Sequence, residues 1–216
     1  MKSNGRIDRF RWTALLFSLL VGAVPARSQT APTALPQITR TGVGPFHPGT
    51  TIPRDLLDTN RKPKEIYHAE YYADAQPLEG FSFSSPPVFV VLKNGPFHRW
   101  GMEHPGQQPP DRIRDTTIAY ARGGRLLISM LVITDPRLQT KEGVSVGADY
   151  ADVQAMYPHA IITPLPSLWE EPTCALREQG LTFFFKGCEF HPGSSVKPVP
   201  NARLIRITVA NTPTAK

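Results

Sequence analysis

The chain has 216 residues, with 24 Lys and Arg against 18 Asp and Glu, a formal net charge of +6. Five of the basic residues and one of the acidic residues lie in the first 28 positions, so the remainder carries 19 basic and 17 acidic residues. No stripe of Lys and Arg interleaved with aromatic residues follows, and we therefore expect no nucleic acid among the partners of this protein.

Residues 1–28 have the features of a secretory signal peptide. Basic residues precede the uncharged run "WTALLFSLLVGAV", and Ala26 and Ser28 supply the small residues of a cleavage site. The run is shorter than the roughly 20 apolar residues of a membrane-spanning helix. We predict cleavage after Ser28 and a periplasmic or secreted protein with no transmembrane anchor after cleavage.

The mature chain is predicted to begin with a proline-rich lead-in over residues 29–64, where apolar periodicity is weak, so that we expect this segment to lie outside the core. A single β-rich domain is predicted over residues 65–210, followed by a disordered tail at 211–216. Two similar halves, 42–134 and 135–210, are an alternative, because "GVGPFHPGTTIPRDLL" weakly echoes "KEGVSVGADYADVQAMYP".

Short runs of β-branched and aromatic residues, bounded by Gly and Pro, predict an antiparallel sheet of six to eight strands. The runs are "EIYHAEYYA", "PVFVVL", "TTIAYA", "RLLISMLVIT", "LTFFF" and "ARLIRITVA". A Gly-Gly pair favours a tight hairpin, so Gly123 and Gly124 are predicted to join the third run to the fourth.

Two of these runs carry more detailed expectations. The run Leu126–Ile133 has Ser129 as its polar member and is predicted to be a central strand buried on both faces. The last run alternates and is predicted to be a half-covered strand, the last of the sheet, with a buried face made of Ile205, Ile207 and Val209.

A helix over about 149–157 is the well-defined helical element of the sequence, and a short helical turn is predicted near 53–58. Gly147 permits a sharp turn before the helix, and Pro158 ends it. Its apolar stripe has the three- and four-residue spacing of a helix and consists of Val153, Met156 and Tyr157. The fold class is therefore α+β, mainly antiparallel β-sheet.

Asp149 and Asp152 stand at the start of this helix. Asp149 occupies the N-cap position and Asp152 the first turn, where a carboxylate complements the helix dipole. Metal ligation or acid–base chemistry is the alternative function for such a pair. We favour capping, because no third ligand accompanies the two carboxylates.

The segment "DPRLQTKEGVSVGADYADVQAMYP", residues 135–158, is followed by a cysteine-bearing strand pair and a final alternating strand. In this order of motifs, over about residues 42–209, the chain resembles a group of uncharacterised secreted bacterial envelope proteins, among them the sigma-E-regulated lipoprotein of enteric bacteria. The chain departs from the lipoproteins because it has no cysteine for lipid attachment. The resemblance carries no catalytic residues.

Cys174 and Cys188 enclose 13 residues. An even pair of cysteines in an exported chain predicts a disulfide, whereas a thioredoxin-like site has two intervening residues. Free thiols and a bond to another chain are the alternatives.

The six histidines are scattered, and one group stands out in "FHRWGMEHPG": His98, Glu103 and His104. A loop of this kind could hold a metal or a general base, but zinc sites usually show helical pairs or Cys/His pairs. A polar loop without chemistry is the default interpretation, so we expect no metal site and no cofactor.

The remaining feature is the aromatic run Phe183, Phe184 and Phe185. On an alternating strand at least one ring faces away from the core, so either the run is completely covered or it offers a binding surface. Because no hydrolase, phosphate-loop or dinucleotide motif is present, the sequence favours a non-enzymatic protein that binds another envelope protein. A secreted hydrolase using His98, Glu103 and His104 is the alternative, and a small-molecule or metal carrier is a third possibility.

Overall fold

The computed structural model describes residues 34–58, 79–104, 107, 110–165, 173–189 and 197–211. Nine strands and four helices lie in these ranges: β1 (Ile38–Thr39), β2 (Gly42–Val43), α1 (Arg54–Asp58), β3 (Gly80–Ser84), β4 (Pro87–Leu92), α2 (Pro96–Glu103), α3 (Asp111–Arg122), β5 (Ile128–Ile133), α4 (Tyr150–Met156), β6 (Ile161–Leu165), β7 (Thr173–Glu178), β8 (Leu181–Glu189) and β9 (Lys197–Ala210).

Seven of these strands form one antiparallel sheet in the order β3-β4-β5-β9-β8-β7-β6, and β1 pairs with β2. The predicted α+β class with a mainly antiparallel sheet is confirmed, as are the predicted helix α4 and the short helix α1. Of the predicted strand runs, "EIYHAEYYA" at residues 65–73 lies outside the described ranges.

One face of the sheet carries the main core. Phe183 and Phe185 of β8 are fully buried there, and rings from the helix α4 region pack on them. Tyr150 meets Phe185 edge-on at 5.2 Å between ring centroids, and Tyr157 lies 4.8 Å from Phe183. These aromatic contacts hold α4 on the sheet, because offset and edge-on ring pairs are the favoured aromatic geometries.

The chain before β3 contributes to the same core, which corrects the expectation that the proline-rich lead-in lies outside it. Ile38, Val43 and Phe46 are buried, and the Phe46 ring lies 4.6 Å from the ring of Phe83 on β3. The many prolines misled the prediction, because they break periodicity without preventing single apolar side chains from packing.

The predicted hairpin at Gly123 and Gly124 is wrong, because "TTIAYA" belongs to helix α3. Gly124 has φ of 67°, its N–H donates to the Ala121 carbonyl, and the Arg125 N–H donates to the Tyr120 carbonyl. This pair of bonds is the glycine-terminated helix end known as a Schellman motif. The glycine pair therefore ends a helix, and the β-branched residues before it form a helix because Ile113, Thr117 and Ala121 recur at four-residue spacing on its inner face.

Strand β5 is interior, third of seven, and Leu131, Val132 and Ile133 are buried. The prediction of a central strand is therefore correct for these residues. It does not hold at Leu127, which is 45% exposed.

Strand β9 is the last in the chain but lies at the centre of the sheet, between β5 and β8. Its register shifts where Phe184 pairs with Arg206 and Phe185 with Leu204, so that Ile205 is the extra residue of a bulge. Leu204 is buried and Ile205 is 40% exposed. Ile205 was thus wrongly placed on the core face, because a bulge reverses the alternation beyond it.

The strand pairing before Asp135 corresponds to the pairing after it. Strand β5 pairs with β4 as β9 pairs with β8, and both pairs contain a bulge at the same relative position, Ser129 in β5 and Ile205 in β9. The segments before α1 and α4 correspond too: the Gly49 N–H donates to the carbonyl of Ile128, and the Gly147 N–H donates to that of Leu204.

Candidate binding site

Helices α2 and α3 enclose a groove of about 400 Å³ on the link between β4 and β5. Its walls are one face of α2, one face of α3 and the residues at the two ends of the helical pair. The lining residues are Asn94, Pro96, Arg99, Trp100, Glu103, Ile113, Thr116, Tyr120, Arg125 and Leu126.

Each helix presents its lining residues because of their spacing. Arg99 and Glu103 are four residues apart on α2, and Thr116 and Tyr120 are four apart on α3, so each pair shares a helix face. Pro96 stands in the first turn of α2, where the missing N–H costs no helical hydrogen bond.

A buried carboxylate, Glu79, fastens the helical pair to the sheet. Glu79 is 3% exposed and accepts a hydrogen bond of 2.6 Å from the Thr117 hydroxyl of α3 and one of 3.1 Å from the backbone N–H of His98 in α2. A side-chain carbon on Gly95 would meet Glu79 at 2.0 Å, so the approach requires glycine at that position. One acidic side chain therefore positions both walls of the groove.

The rings in the groove are held in place by neighbours. The His104 ring stacks on Trp100 at 4.6 Å with 9° between the planes, and its Nδ1 lies 3.1 Å from the Trp100 carbonyl oxygen. On the opposite wall the Arg125 guanidinium lies 5.3 Å from the centre of the Tyr120 ring, within cation–π range.

The sequence-predicted group of His98, Glu103 and His104 is not gathered around one point. The backbone N–H of His98 serves Glu79, His104 packs on Trp100 at the end of α2, and Glu103 lines the groove and is exposed. Residues five and six positions apart on a helix differ in direction by about 140° and 120°. Across the described ranges, no three His, Cys, Asp or Glu side chains are arranged to hold a metal ion.

Cys174 and Cys188 form a disulfide between β7 and β8, as predicted, with 5.9 Å between their Cα atoms. Both cysteines are buried. Gly187 has φ of 95° and lies where the β8–β9 register shifts, so the backbone turns beside Cys188.

Asp149 occupies the predicted N-cap position of α4, but its side chain makes no cap hydrogen bond. Its Oδ1 lies 3.2 Å from Nε of Arg203, and that arginine also donates to the Gly147 carbonyl at 2.9 Å. Asp152 is exposed in the first turn of α4. The carboxylate of Asp149 therefore fastens the start of the helix to β9 instead of capping it.

The aromatic run on β8 has two different environments. Phe183 and Phe185 belong to the core, whereas Phe184 is half-buried on the other face, with the Arg206 guanidinium 4.1 Å from its ring centre. A binding surface at this run would therefore involve Phe184 alone. Two of the three rings are covered by their own domain.

A second polar pair links α4 to the loop before it. The Tyr157 hydroxyl donates to Glu142, and Tyr157 itself is buried. Burial, reinforced by the hydrogen bond to Glu142, raises the pKa of Tyr157 far above its ordinary value of 10.0. The same hydrogen bond lowers the pKa of Glu142. The pair stays outside the groove and is a structural contact.

The sequence missed Arg99, Trp100, Tyr120, Arg125 and Glu79. Tyr120 was assigned to a strand, and the other four had no motif to mark them. The available signal was the four-residue spacing within α3 together with Asp111 in its first turn and Arg122 in its last.

The fold and groove define an α+β protein with a helical pair carried on an antiparallel sheet. No known family model matches the chain. No curated protein matches it at a significant level. The crystal structure of the uncharacterized protein yfeY from Escherichia coli is similar, with a TM-score of 0.44 and 12% identity, over 81% of this chain and 99% of that chain. The resemblance to uncharacterised bacterial proteins is supported to that extent, and the lipoprotein type is not shown.

Proposed function

We propose that the protein is a non-enzymatic secreted binding protein, and that the groove between α2 and α3 takes up a segment of another envelope protein. The observation that carries this proposal is the composition of the groove. Aromatic rings and guanidinium groups line it, and no histidine stands beside a hydroxyl or thiol among its lining residues.

The residue types fit capture of a protein segment. Trp, Tyr and Arg are enriched among the residues that contribute most to protein interfaces, because they combine a large contact area with a polar group. Trp100, Tyr120, Arg99 and Arg125 bring two of these aromatic groups and two of these cations to one groove. A volume of about 400 Å³ lies within the range of ligand pockets.

The place of the groove in the chain is further support. The link from β4 to β5 spans residues 93–127, whereas the corresponding link from β8 to β9 spans residues 190–196. The long link contains α2 and α3, so the helical pair is an addition to the otherwise corresponding strand order. Functional groups are commonly carried on such additions to a rigid sheet.

The secreted location is supported by the disulfide. Disulfides persist in oxidising compartments and are rare in the cytosol, so the Cys174–Cys188 bond agrees with the predicted signal peptide at residues 1–28. None of the helices in the described ranges is long and apolar enough to span a bilayer.

Site-specific photo-crosslinking in cells tests the proposal. A photoreactive amino acid replaces Met102, which is 56% exposed on α2 beside the groove, and in a matched control it replaces Met156, which is 54% exposed on α4. We expect a discrete adduct with an envelope protein from position 102 and not from 156, and loss of that adduct when Trp100→Ala is added. Equal adducts from both positions, or no adduct from 102, would overturn the proposal.

The hydrolase alternative has no support in the described ranges, because His98, Glu103 and His104 do not converge. The aromatic run on β8 is a weaker site than the groove, because it leaves only Phe184 partly accessible. The groove is therefore the place to test first.

A further inference from the structure

The charges of the groove differ from those elsewhere on the described surface. Arg40, Arg137 and Arg203 each lie within 3.2 Å of a carboxylate oxygen, on Glu178, Asp135 and Asp149 respectively. Within the described ranges, Arg99 and Arg125 have no such carboxylate, although both are exposed and line one groove. Two guanidinium groups therefore face the groove without an internal counterion.

From this difference we infer that the groove recognises an acidic side chain of the bound segment, held between Arg99 and Arg125. This inference rests on the proposed function and adds the chemistry of the partner. Guanidinium groups bind carboxylates with paired, charge-assisted hydrogen bonds, which makes an Asp or Glu of the partner the matching group.

The groove also selects what stands next to that acidic residue. Trp100 and Tyr120 offer ring surfaces suited to an apolar or aromatic neighbour of the carboxylate. Both rings are already fixed, Trp100 by its stack with His104 and Tyr120 by Arg125. Fixed rings lose little conformational freedom on binding, which favours affinity.

Asn94 supports a site at this end of the groove. It lines the groove and has φ of 50°, a left-handed conformation that is uncommon for a residue other than glycine. Such backbone conformations are concentrated at functional sites, although asparagine adopts this one more readily than most residues. Its exposed amide can donate to a backbone carbonyl of the bound segment.

Glu103 sets the limit of this preference. It lines the same groove as the two arginines, so the charged lining residues have a net charge of +1. A single carboxylate in the partner would be favoured over a dense acidic run, because a second negative charge would meet Glu103. Removing that carboxylate should therefore strengthen binding of acidic segments.

Selection from a random heptapeptide phage library against the full mature protein tests the inference. We expect peptides that combine Asp or Glu with an aromatic or large aliphatic residue to be enriched, and Lys and Arg to be depleted. For a selected peptide, Arg99→Ala and Arg125→Ala should each weaken binding about tenfold, the loss of one charge-assisted contact. Glu103→Gln should strengthen it, and Lys141→Ala, a matched exposed cation outside the groove, should leave it unchanged.

The outcomes separate this inference from the proposed function. Enriched peptides that bind through Trp100 but contain no acidic residue, or equal affinity for a peptide in which Gln replaces the acidic residue, overturn the charge preference and leave the protein-binding function standing. No enrichment above the Trp100→Ala variant overturns the acidic-segment inference. The cross-linking result at Met102 then decides the proposed function separately.

Discussion

Val132 of β5 and Thr208 of β9 face each other as direct partners at the centre of the seven-stranded sheet. They are 76 positions apart, and the same offset relates the rest of the two strands. Leu131 pairs with Val209, and the residues 76 positions away from each, Ile207 and Ile133, also pair with each other. The Val132–Thr208 pair thus lies at the midpoint of a two-fold correspondence.

We propose from this correspondence that residues 42–134 and 135–210 are true structural repeats. In an experimentally determined structure, a rotation of about 180° through the Val132–Thr208 pair should superpose β3, β4 and β5 on β7, β8 and β9. The two bulges should coincide after the rotation. The same superposition with either half displaced by one residue is the control, and an equally good fit for the displaced halves would contradict the proposal.

Glu79→Leu should destabilise the protein by about 1–3 kcal/mol, because the Thr117 hydroxyl and the His98 N–H lose a buried charged acceptor. Glu79→Gln should cost less, since one amide oxygen can still accept. Urea unfolding measures both, and hydrogen exchange should show faster exchange in α2 and α3 than in the sheet. Glu103→Gln, an exposed carboxylate on the same helix, is the control. Unchanged stability in the Leu variant would show that Glu79 does not fasten the helices.

Replacing both cysteines, Cys174→Ala with Cys188→Ala, should reduce stability by about 3 kcal/mol in the chain-entropy account of a loop of this size. The parent protein, denatured without reductant, should show no thiol that can be alkylated. Two alkylated cysteines in that sample would contradict the bond. The same protein after reduction supplies the control, with two alkylated cysteines.

Tyr157→Phe should cost about 1 kcal/mol near neutral pH through the lost hydrogen bond to Glu142. Because the folded state lowers the pKa of Glu142 below its ordinary 4.5, the stabilisation exists above that value and is lost as the pH falls through the folded pKa. Because it raises the pKa of Tyr157, the parent should also lose stability above about pH 10.

The measurement is the urea midpoint of parent and Tyr157→Phe between pH 2 and 11. The difference between them should be largest near neutral pH and shrink at both ends. A constant difference across the range would mean that the variant acts through packing on Phe183 and not through the hydrogen bond.

Asp149 and Arg203 should show a coupling of about 0.2–1 kcal/mol in a double-mutant cycle with alanine, the usual size for an exposed ion pair. The sequence-based expectation differs: a cap would be lost in Asp149→Ala and recovered in Asp149→Ser. Because the side chain makes no cap bond in the structure, we expect the serine variant to behave like the alanine variant. Recovery by serine, with no coupling to Arg203, would restore the capping account.

The strands were predictable where one physical signal dominated. The runs that became β4, β5 and β8 are dense in β-branched and aromatic residues, and α4 follows a turn glycine at the spacing of a single apolar stripe. The segment that became α3 carries two signals that disagree, β-branched composition and four-residue spacing. Local composition gave the wrong answer there, because packing of the inner face on the sheet decides the outcome.

The groove was beyond the sequence for a different reason. Its lining residues come from separate elements, and Arg99 and Tyr120 meet one space only because Glu79 holds α2 and α3 together. No local pattern encodes such a juxtaposition. The histidine cluster pointed to the correct helix but to the wrong side chains, because Glu103 alone of the three lines the groove.

The central strand pair has a consequence for how the chain reaches its native state. The β3–β4 and β7–β8 hairpins join neighbours in sequence, whereas the β5–β9 ladder closes loops from 74 residues, between Ile133 and Ile207, to 80, between Met130 and Ala210. Local pairings form readily, and pairings between distant segments carry a larger loop-closure entropy and slow the reaction. The two hairpins should therefore assemble early, and docking of β9 against β5 should limit the folding rate. Substitutions at Val132 or Thr208 would then change the folding rate more than those in either hairpin.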